Sequence, residues 1–449
     1  MNEKKLPLGA TILKLTEAKK YASLRDFLAT LNAADIAEAF SSLSEQALPL
    51  VYRLLPKELA AETFVEMEPE QQEILIRGFS DFELKAVVEE LYVDDAVTLV
   101  EEMPANVVSR ILTQADVETR KSINEILQYP EDSAGSVMTT EMVELQGDTT
   151  AAQAIEHIRK VGVDKETINT CYITNRSHKL QGVVSIRSLI LANPDTPCKE
   201  LMSTNVVSVS TKEDQETVVQ MLSKYSFNAL PVVDGDDRLV GIVTWDDAID
   251  IMETETTEDM EIMAGITPTD KPYLSTGVFA IWRSRIPWLL ALMLVAFVTG
   301  WVINSFQNVL LATTALIAYI PVIMDAGGNA GSQTAVTVVR GLSLNELKMG
   351  DLLQILWKEF RVSLLCGLTM AVVTFAKLML LNQVTWMVAL VVSLALVCTL
   401  VVAKMVGCLL PMLFERMGFD PTFVASPFIT TVVDLLSMVL YFLLAMALL

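Results

Sequence analysis

The hydrophobic pattern divides the chain into a polar front part and an apolar back part. Over residues 10–131, apolar residues recur at i, i+3 and i+4, and short segments such as LPKE, SDFE, VDDA and MPAN interrupt them. This spacing predicts short amphipathic helices that stack as hairpins into a superhelix. We assign residues 1–132 to an acidic all-α N-terminal domain in which nothing looks catalytic.

A pair of similar segments follows this helical region. Each has the pattern of a strand, a helix, two β-rich runs around a turn and a further helix. Met138 and Gly182 of the first copy match Met202 and Gly241 of the second. The repeat predicts two α+β domains, over residues 133–200 and 201–252.

Five apolar runs near the C-terminus are long enough to cross a membrane, which takes about 20 residues per helix. They cover residues 286–303, 309–339, 362–381, 384–413 and 422–449 and predict a five-helix transmembrane domain over residues 285–449. Basic residues precede the first run and follow the second and fourth, whereas none lies within 304–308 or 382–385. We therefore expect a multi-pass protein of the cell (inner) membrane with a cytoplasmic front part and an outside C-terminus.

Charge separates the two parts further. Of the chain's 33 Lys+Arg and 55 Asp+Glu residues, 8 and 7 lie from Arg285 onward, which leaves 25 and 48 before it. Such an acidic front part argues against nucleic acid as a partner and favours cations. Eight acids without a basic residue crowd into residues 246–261, so we expect an acidic connecting helix and linker over residues 253–284. These carboxylates are either solvated or bridged by cations, and their place before the first apolar run favours bridging.

The second apolar run contains the polar segment PVIMDAGGNAGSQ. Its proline and three glycines weaken a helix, and an opened backbone there would offer carbonyl oxygens and the Asn329 amide to an ion or to water. The alternative is close helix packing through small residues. Packing alone does not explain why Asp325, Asn329 and Gln333 occur together.

A carboxylate, Asp434, lies well inside the last apolar run. Intramembrane acids are costly and are functional candidates, although a protonated acid paired with a neighbouring helix is the alternative. Thr430 and Thr431, one turn earlier, would add hydroxyls to the same polar stripe. Magnesium suits such oxygen ligands because it keeps several of its waters. Zinc, copper and iron are poor candidates, since the five cysteines are scattered and the only two histidines lie in the front part.

The repeated pair resembles a tandem pair of CBS domains, a regulatory module. Members that bind adenine nucleotides often end in Gly-h-h-Ser/Thr-x-x-Asp, where h is hydrophobic, and Gly241, Thr244 and Asp247 fit this pattern in the second copy. In the first copy Ser188 replaces the acid. The resemblance implies ATP as a possible ligand of Thr244 and Asp247, with a purely structural turn as the alternative.

The order of domains, with PVIMDAGGNAGSQ in the second run and DPTFVASPFITTVVD in the fifth, resembles the MgtE family of magnesium channels and transporters over essentially the whole chain. The resemblance implies a homodimer in a lipid bilayer, with a pore between two membrane domains. Asp434 would be its selectivity acid, and Gly328 and Asn329 would line the same path.

The resemblance also implies that the front part senses cytosolic Mg²⁺ through bridged acids that close the pore. The matching positions are Asp94, Asp214, Glu216, Asp247, Asp250, Glu255, Glu258, Asp259 and Asp420. Thr98 and Ser226 stand where relatives can carry acids, and Ser426 stands where an Asn can occur near the cytoplasmic entrance.

Three functions compete at this stage. The first is a passive magnesium channel gated by magnesium, and the second is an exchanger coupled to Na⁺ or H⁺ that uses Asp434 and Asp325 as carriers. The third is a membrane sensor of magnesium or nucleotide that conducts nothing. An ATP-driven pump lacks a GxxxxGK[ST] loop, and an enzyme lacks any catalytic constellation in this sequence.

Overall fold

The computed structural model describes residues 8–269, 273–274, 276–382, 384–424 and 426–449. The chain forms two compact units, Met1–Met252 and Glu253–Leu449. Part of the predicted connecting segment, residues 270–272 and 275, lies outside the described residues.

Ten short helices form the N-terminal region, as the pattern predicts. The segments that interrupt the hydrophobic pattern are helix starts: Pro56 and Pro104 precede α5 and α9, and Ser80 caps α7 in a capping box with Glu83. The helices are α1 Leu8–Glu17, α2 Tyr21–Leu28, α3 Ala33–Phe40, α4 Leu48–Tyr52, α5 Lys57–Val65, α6 Pro69–Gly78, α7 Asp81–Val88, α8 Val93–Glu102, α9 Ala105–Gln114 and α10 Val117–Ile126.

Two three-stranded sheets confirm the predicted α+β repeat. In each, the first strand pairs with the second in parallel and the second with the third antiparallel. The first copy contains β1 Val143–Gln146, α11 Ala151–Val161, β2 Thr170–Thr174, β3 Leu180–Ser185 and α12 Ile186–Leu191. After α13 Cys198–Leu201, the second copy contains β4 Val209–Ser210, α14 Gln215–Tyr225, β5 Ala229–Val233 and β6 Leu239–Thr244.

The matched methionines and glycines pack across the two copies. A Cβ on Gly241 would lie 2.6 Å from Sδ of Met138, and one on Gly182 would lie 2.7 Å from Sδ of Met202. Each glycine therefore makes room for the methionine of the other copy. This reciprocal contact explains why the repeat preserves both residue types.

A 19-residue helix, α15 Trp245–Met263, contains the whole acidic run. The predicted helix is confirmed, but it begins inside the segment assigned to the second CBS copy. Gly265 follows it with a left-handed φ of +71°, a conformation that glycine adopts without strain.

After the end of α15, the described residues of the second unit form five long α-helices and one short one. They are α16 Val278–Ser305, α17 Gln307–Ala312, α18 Ile320–Ser343, α19 Leu352–Lys377, α20 Trp386–Arg416 and α21 Ser426–Leu448. Among the described residues, four helices are long and apolar enough to cross a membrane, which leaves the predicted count of five unconfirmed. The long helix that falls short is α18, because its glycines, amides and Asp325 lower its hydropathy.

The predicted opening of the backbone in the second run is wrong, because α18 is continuous through its glycines. Pro321 lies in the first turn of α18. A backbone N–H at this position has no partner within the helix, so the proline removes no hydrogen bond. A Cβ on Gly327 would lie 2.8 Å from Cγ2 of Thr399 on α20, and one on Gly328 would lie 2.7 Å from Cγ2 of Thr430 on α21. The glycines thus allow two neighbouring helices to pack closely. The backbone at Gly328 is helical, so it does not open to offer its carbonyl oxygen to an ion.

Candidate ion pathway and regulatory acids

Polar residues line one exposed face of α18, beside its buried glycines. Asp325, Asn329 and Gln333 are all exposed and recur every four residues, so they follow one side of the helix. We call these three residues the α18 stripe. An exposed carboxylate and two amides on a helix packed between apolar helices would need water, a partner chain or an ion at membrane depth.

Asp434 lies in the interior of α21 and is half-buried. Its Oδ1 is buried and has no hydrogen-bond partner among the described residues. Asp325 is close enough for the two negative charges to repel each other. A cation between the α18 stripe and Asp434 would relieve this repulsion and use the unpartnered oxygen.

Hydroxyl groups join α18 to α21 within the two turns before Asp434. Ser426 Oγ donates to Ser332 Oγ at 2.8 Å, and Ser332 Oγ lies 3.2 Å from Thr430 Oγ1. Thr430 and Thr431 donate to carbonyls of their own helix, the oxygens of Ser426 and Pro427, both at 2.8 Å. Ser426 is thus part of the contact between the two helices.

In the first unit, acids from three segments meet at the start of α8. Asp94 and Asp95 occupy its first turn, and the charge of Asp247 on α15 acts on both. Burial, followed by repulsion from Asp247, raises the pKa of Asp94 well above its usual range and that of Asp95 to about 7. Glu166 has the same two leading causes and also reaches a pKa of about 7. The cluster holds several carboxylates that are costly to ionise together.

Glu141, whose charge acts on Asp95 and Glu166, belongs to the same cluster, and both it and Asp247 accept hydrogen bonds. Glu141 accepts the N–H of Val93 at 3.0 Å and the hydroxyl of Thr139 at 2.9 Å, so a CBS side chain satisfies the first turn of α8. Thr244 is buried, and its hydroxyl donates to Oδ2 of Asp247 at 2.5 Å. Burial raises the pKa of Asp247 in spite of that bond.

Of the other predicted acids, Asp250 acts on Asp247 by charge repulsion, and the remaining ones have the following positions. Asp214 caps α14 by accepting the N–H of Glu216 at 2.8 Å, and Asp420 accepts the N–H of Thr422 at 2.8 Å. Asp250, Glu255, Glu258 and Asp259 follow one another along α15. No group of three or more His, Cys, Asp or Glu side chains has the arrangement of a metal centre within the part of the chain that the structure describes.

The sequence reasoning named Asp94 and Asp247 and missed Asp95, Glu141 and Glu166. Asp95 stands beside Asp94 in VDDA and could have been included with it. Glu141 and Glu166 are single acids in mixed polar segments, so no local pattern distinguishes them.

Comparison with known proteins decides the family. The family model for the MgtE divalent cation transporter matches residues 320–444, that for the MgtE intracellular N domain matches residues 31–132, and CBS domains match residues 134–195 and 198–254. The magnesium transporter MgtE of Thermus thermophilus is 35% identical over 93% of both chains. This chain belongs to the MgtE family of magnesium transporters. It is accordingly a transporter and not an enzyme.

Further relatives agree with this assignment. The magnesium transporter MgtE of Bacillus subtilis is 30% identical over 96% of both chains. The crystal structure of the cytosolic domain of the Mg²⁺ channel MgtE in complex with ATP has 33% identity and a TM-score of 0.52, and it covers 54% of this chain and all of that one. The soluble part of a magnesium transporter has 29% identity and a TM-score of 0.51, covering 55% and 97%.

Proposed function

We propose that this MgtE protein is a passive, magnesium-selective channel that Mg²⁺ itself closes from the cytosolic side. The observation that carries the conduction part is Asp434, whose buried, unpartnered Oδ1 lies near the charge of Asp325. A hydrated Mg²⁺ needs few protein carboxylates, because it retains most of its waters. The α18 stripe adds the amide oxygens of Asn329 and Gln333 to the same path.

The acid cluster around α8 supports the gating part of the proposal. Asp94, Asp95, Glu166 and Asp247 repel one another in the absence of a cation, and bound Mg²⁺ would turn that repulsion into bridging. We assign the remaining predicted acids, Asp214, Glu216, Asp250, Glu255, Glu258, Asp259 and Asp420, to further regulatory Mg²⁺ positions. Ion binding then favours one of two conformations, as regulation by a ligand requires.

The proposal includes a homodimer with a cytoplasmic front part and an outside C-terminus. The exposed α18 stripe supports the dimer, because a second copy would enclose these polar groups around water and ions. The basic residues in the connections support the orientation. Cross-linking in native membranes tests the dimer, and protease added to sealed vesicles of known orientation tests the sidedness.

Mg²⁺ influx into proteoliposomes that contain an indicator tests conduction. Asp434→Asn keeps the shape of the side chain and removes its charge, and Glu346→Gln makes the same change at an exposed residue of the same unit. We expect Asp434→Asn to lower influx about tenfold or more, the effect of losing about 1.4 kcal/mol of ion stabilisation. Glu346→Gln should conduct as the native chain does, and cytosolic Mg²⁺ should suppress its influx.

The same preparation separates the competing functions. Influx that follows an imposed Na⁺ or H⁺ gradient would identify an exchanger. A correctly inserted native chain that passes no Mg²⁺ at low cytosolic Mg²⁺ would identify a sensor. Equal influx in the native and Asp434→Asn chains would remove Asp434 from the pathway.

ATP is a second proposed ligand of the CBS pair, and the relative crystallised with ATP supports it. In the second copy, Thr244 already bonds to Asp247, and acids surround that carboxylate. ATP would therefore compete with this contact and with the negative field around it. Equilibrium dialysis of labelled ATP against the native and Thr244→Val proteins tests the assignment, since equal binding would place the nucleotide elsewhere.

A further inference from the structure

A buried ion pair joins three helices of the membrane unit. Lys404 on α20 is 6% exposed and is the only charged residue that is buried to this degree in the described part of the chain. Its Nζ lies 3.4 Å from Oε2 of Glu359 on α19 and donates to Oγ1 of Thr334 on α18 at 3.1 Å. The Thr334 hydroxyl donates to the same Glu359 oxygen at 3.1 Å. The three side chains thus form a closed set of contacts.

Stability alone does not account for such a pair. Removing two charges from water costs more than their attraction often returns, and well-packed apolar residues of similar volume are commonly as stable or more stable. Charged residues within membrane helices are also rare outside functional positions. The use that is best attested for buried polar groups is to fix the register of helices.

The neighbouring glycine contact shows why α18 needs such a fixed register. Gly331 lies three residues before Thr334 on α18, and Gly407 lies three residues after Lys404 on α20. A Cβ on Gly407 would lie 2.3 Å from the carbonyl oxygen of Gly331, so the two backbones touch. Small residues permit this approach but offer few side-chain ridges that would resist rotation or sliding. The polar contact of Thr334 supplies the missing constraint on the same pair of helix faces.

We propose that Lys404 and Glu359 are positioning residues for conduction. By holding Thr334 they fix the rotation of α18 about its axis, and this rotation sets the direction in which the α18 stripe points on the opposite face. The inference rests on the proposed conduction path, since the stripe matters only if ions pass it. Loss of the pair would turn the stripe away from Asp434 while the helices remain packed.

The decisive variant replaces both charged residues by an apolar residue of similar length, Lys404→Met with Glu359→Met. It leaves no unpaired charge, so we expect thermal unfolding at or above the native temperature. We expect maximal Mg²⁺ influx to fall about tenfold and discrimination between Mg²⁺ and Ca²⁺ to weaken. A tenfold change is typical for residues that act on a site through other side chains. Asp434→Asn serves as the reference for a direct loss in the pathway.

Two further variants isolate the contact. Thr334→Val removes the hydroxyl and keeps the ion pair, so it should weaken influx and selectivity in the same direction but less. Thr369→Val makes the same change at an exposed position of α19, where the hydroxyl donates to the Leu365 carbonyl at 2.8 Å, and it should match the native chain. The charge exchange Lys404→Glu with Glu359→Lys should recover part of the influx.

The outcomes are distinct. A stable double-Met variant with native influx and native selectivity would overturn the inference. A double-Met variant that unfolds at a lower temperature, with influx lost in proportion to folded protein, would overturn it in favour of a purely structural pair. Absence of influx in the native chain would instead defeat the proposed channel function and the conduction role together.

Discussion

At the scale of single residues, glycine decides how closely the helices of the membrane unit approach. Gly331 and Gly407 bring the backbones of α18 and α20 together, and an added methyl group has no space there. Gly300 on α16 is the opposite case, because nothing lies within 4 Å of its added Cβ. The same residue type thus has different consequences in two helices of one unit.

This contrast gives a prediction for stability. Gly407→Ala should destabilise the membrane unit by about 1–3 kcal/mol, since the methyl group must push α18 aside. Gly300→Ala should be neutral or stabilise by about 0.5–1 kcal/mol, because alanine favours a helix and meets open space. Thermal unfolding of both variants in the same detergent measures the difference. Equal unfolding temperatures would mean that the α18–α20 contact is looser than the structure shows.

The sequence alone identifies a residue when its side chain differs in polarity from the residues around it. Asp434 is a carboxylate in an apolar run, and this was enough to name it. Lys404 in VVAKMVG carries the same kind of signal and was overlooked. Glu141 could not be found in this way, because its significance comes from Val93, whose N–H it accepts across the fold.

At the scale of elements, the periodic helices and the CBS strands were predictable and α18 was not. Its proline and glycines lower helix propensity, but propensity is a weak guide when neighbours bury a helix on one face. The glycines of α18 contact Thr399 and Thr430, which are distant in sequence. Only these contacts show that the glycines allow close helix packing and do not open the backbone. Helix α8 is similar, since its first turn is completed by an acid from another domain.

The first turn of α8 also gives a prediction on pH. Asp95 and Glu166 have pKa values of about 7 in the folded unit, above the values near 4 of unfolded carboxyls. The folded form therefore holds protons that the unfolded chain has released, and its stability decreases as the pH rises from about 4 to 7. With EDTA present, the first unit should be about 1–2 kcal/mol more stable at pH 6 than at pH 8, after allowance for the partial exposure of Glu166.

Hydrogen exchange of the α8 amides at the two pH values, corrected for intrinsic exchange rates, measures this effect. Asp95→Asn combined with Glu166→Gln should reduce the pH dependence, and Asp94, whose pKa is also raised, should account for part of what remains. Millimolar Mg²⁺ should stabilise the unit most at pH 8, where the carboxylates are ionised and available to it. A pH dependence of the native size in the double variant would mean that Asp95 and Glu166 do not hold these protons.

At the scale of the whole molecule, an acidic unit precedes an apolar unit in a chain of the magnesium transporter family. The charge difference between the two parts of the sequence was sufficient to predict this division. The domain families follow from local motifs and repeats. The partners of each acid depend on contacts across domains, which no local pattern encodes.

The acids of the front part predict how Mg²⁺ changes the susceptibility of the chain to protease. Millimolar Mg²⁺ should slow tryptic cleavage of the front part of the full chain, since bridged carboxylates hold its domains together. A variant with Asp94→Asn and Asp247→Asn should lose much of this protection, and Glu346→Gln should keep it. Gel electrophoresis of timed digests gives the comparison, and equal cleavage of the native chain with and without Mg²⁺ would count strongly against a magnesium-sensing role.

The modest hydropathy of α18 has a consequence for biosynthesis. The ribosome completes this helix before it makes α20 and α21, the helices that bury the glycine face. A newly made α18 therefore lacks the helices that pack on its glycines, and its exposed Asp325 and amides make it a weakly apolar segment on its own. Its stable integration must wait for the last helices, so the element at the centre of the proposed pathway is the last to be secured in the membrane.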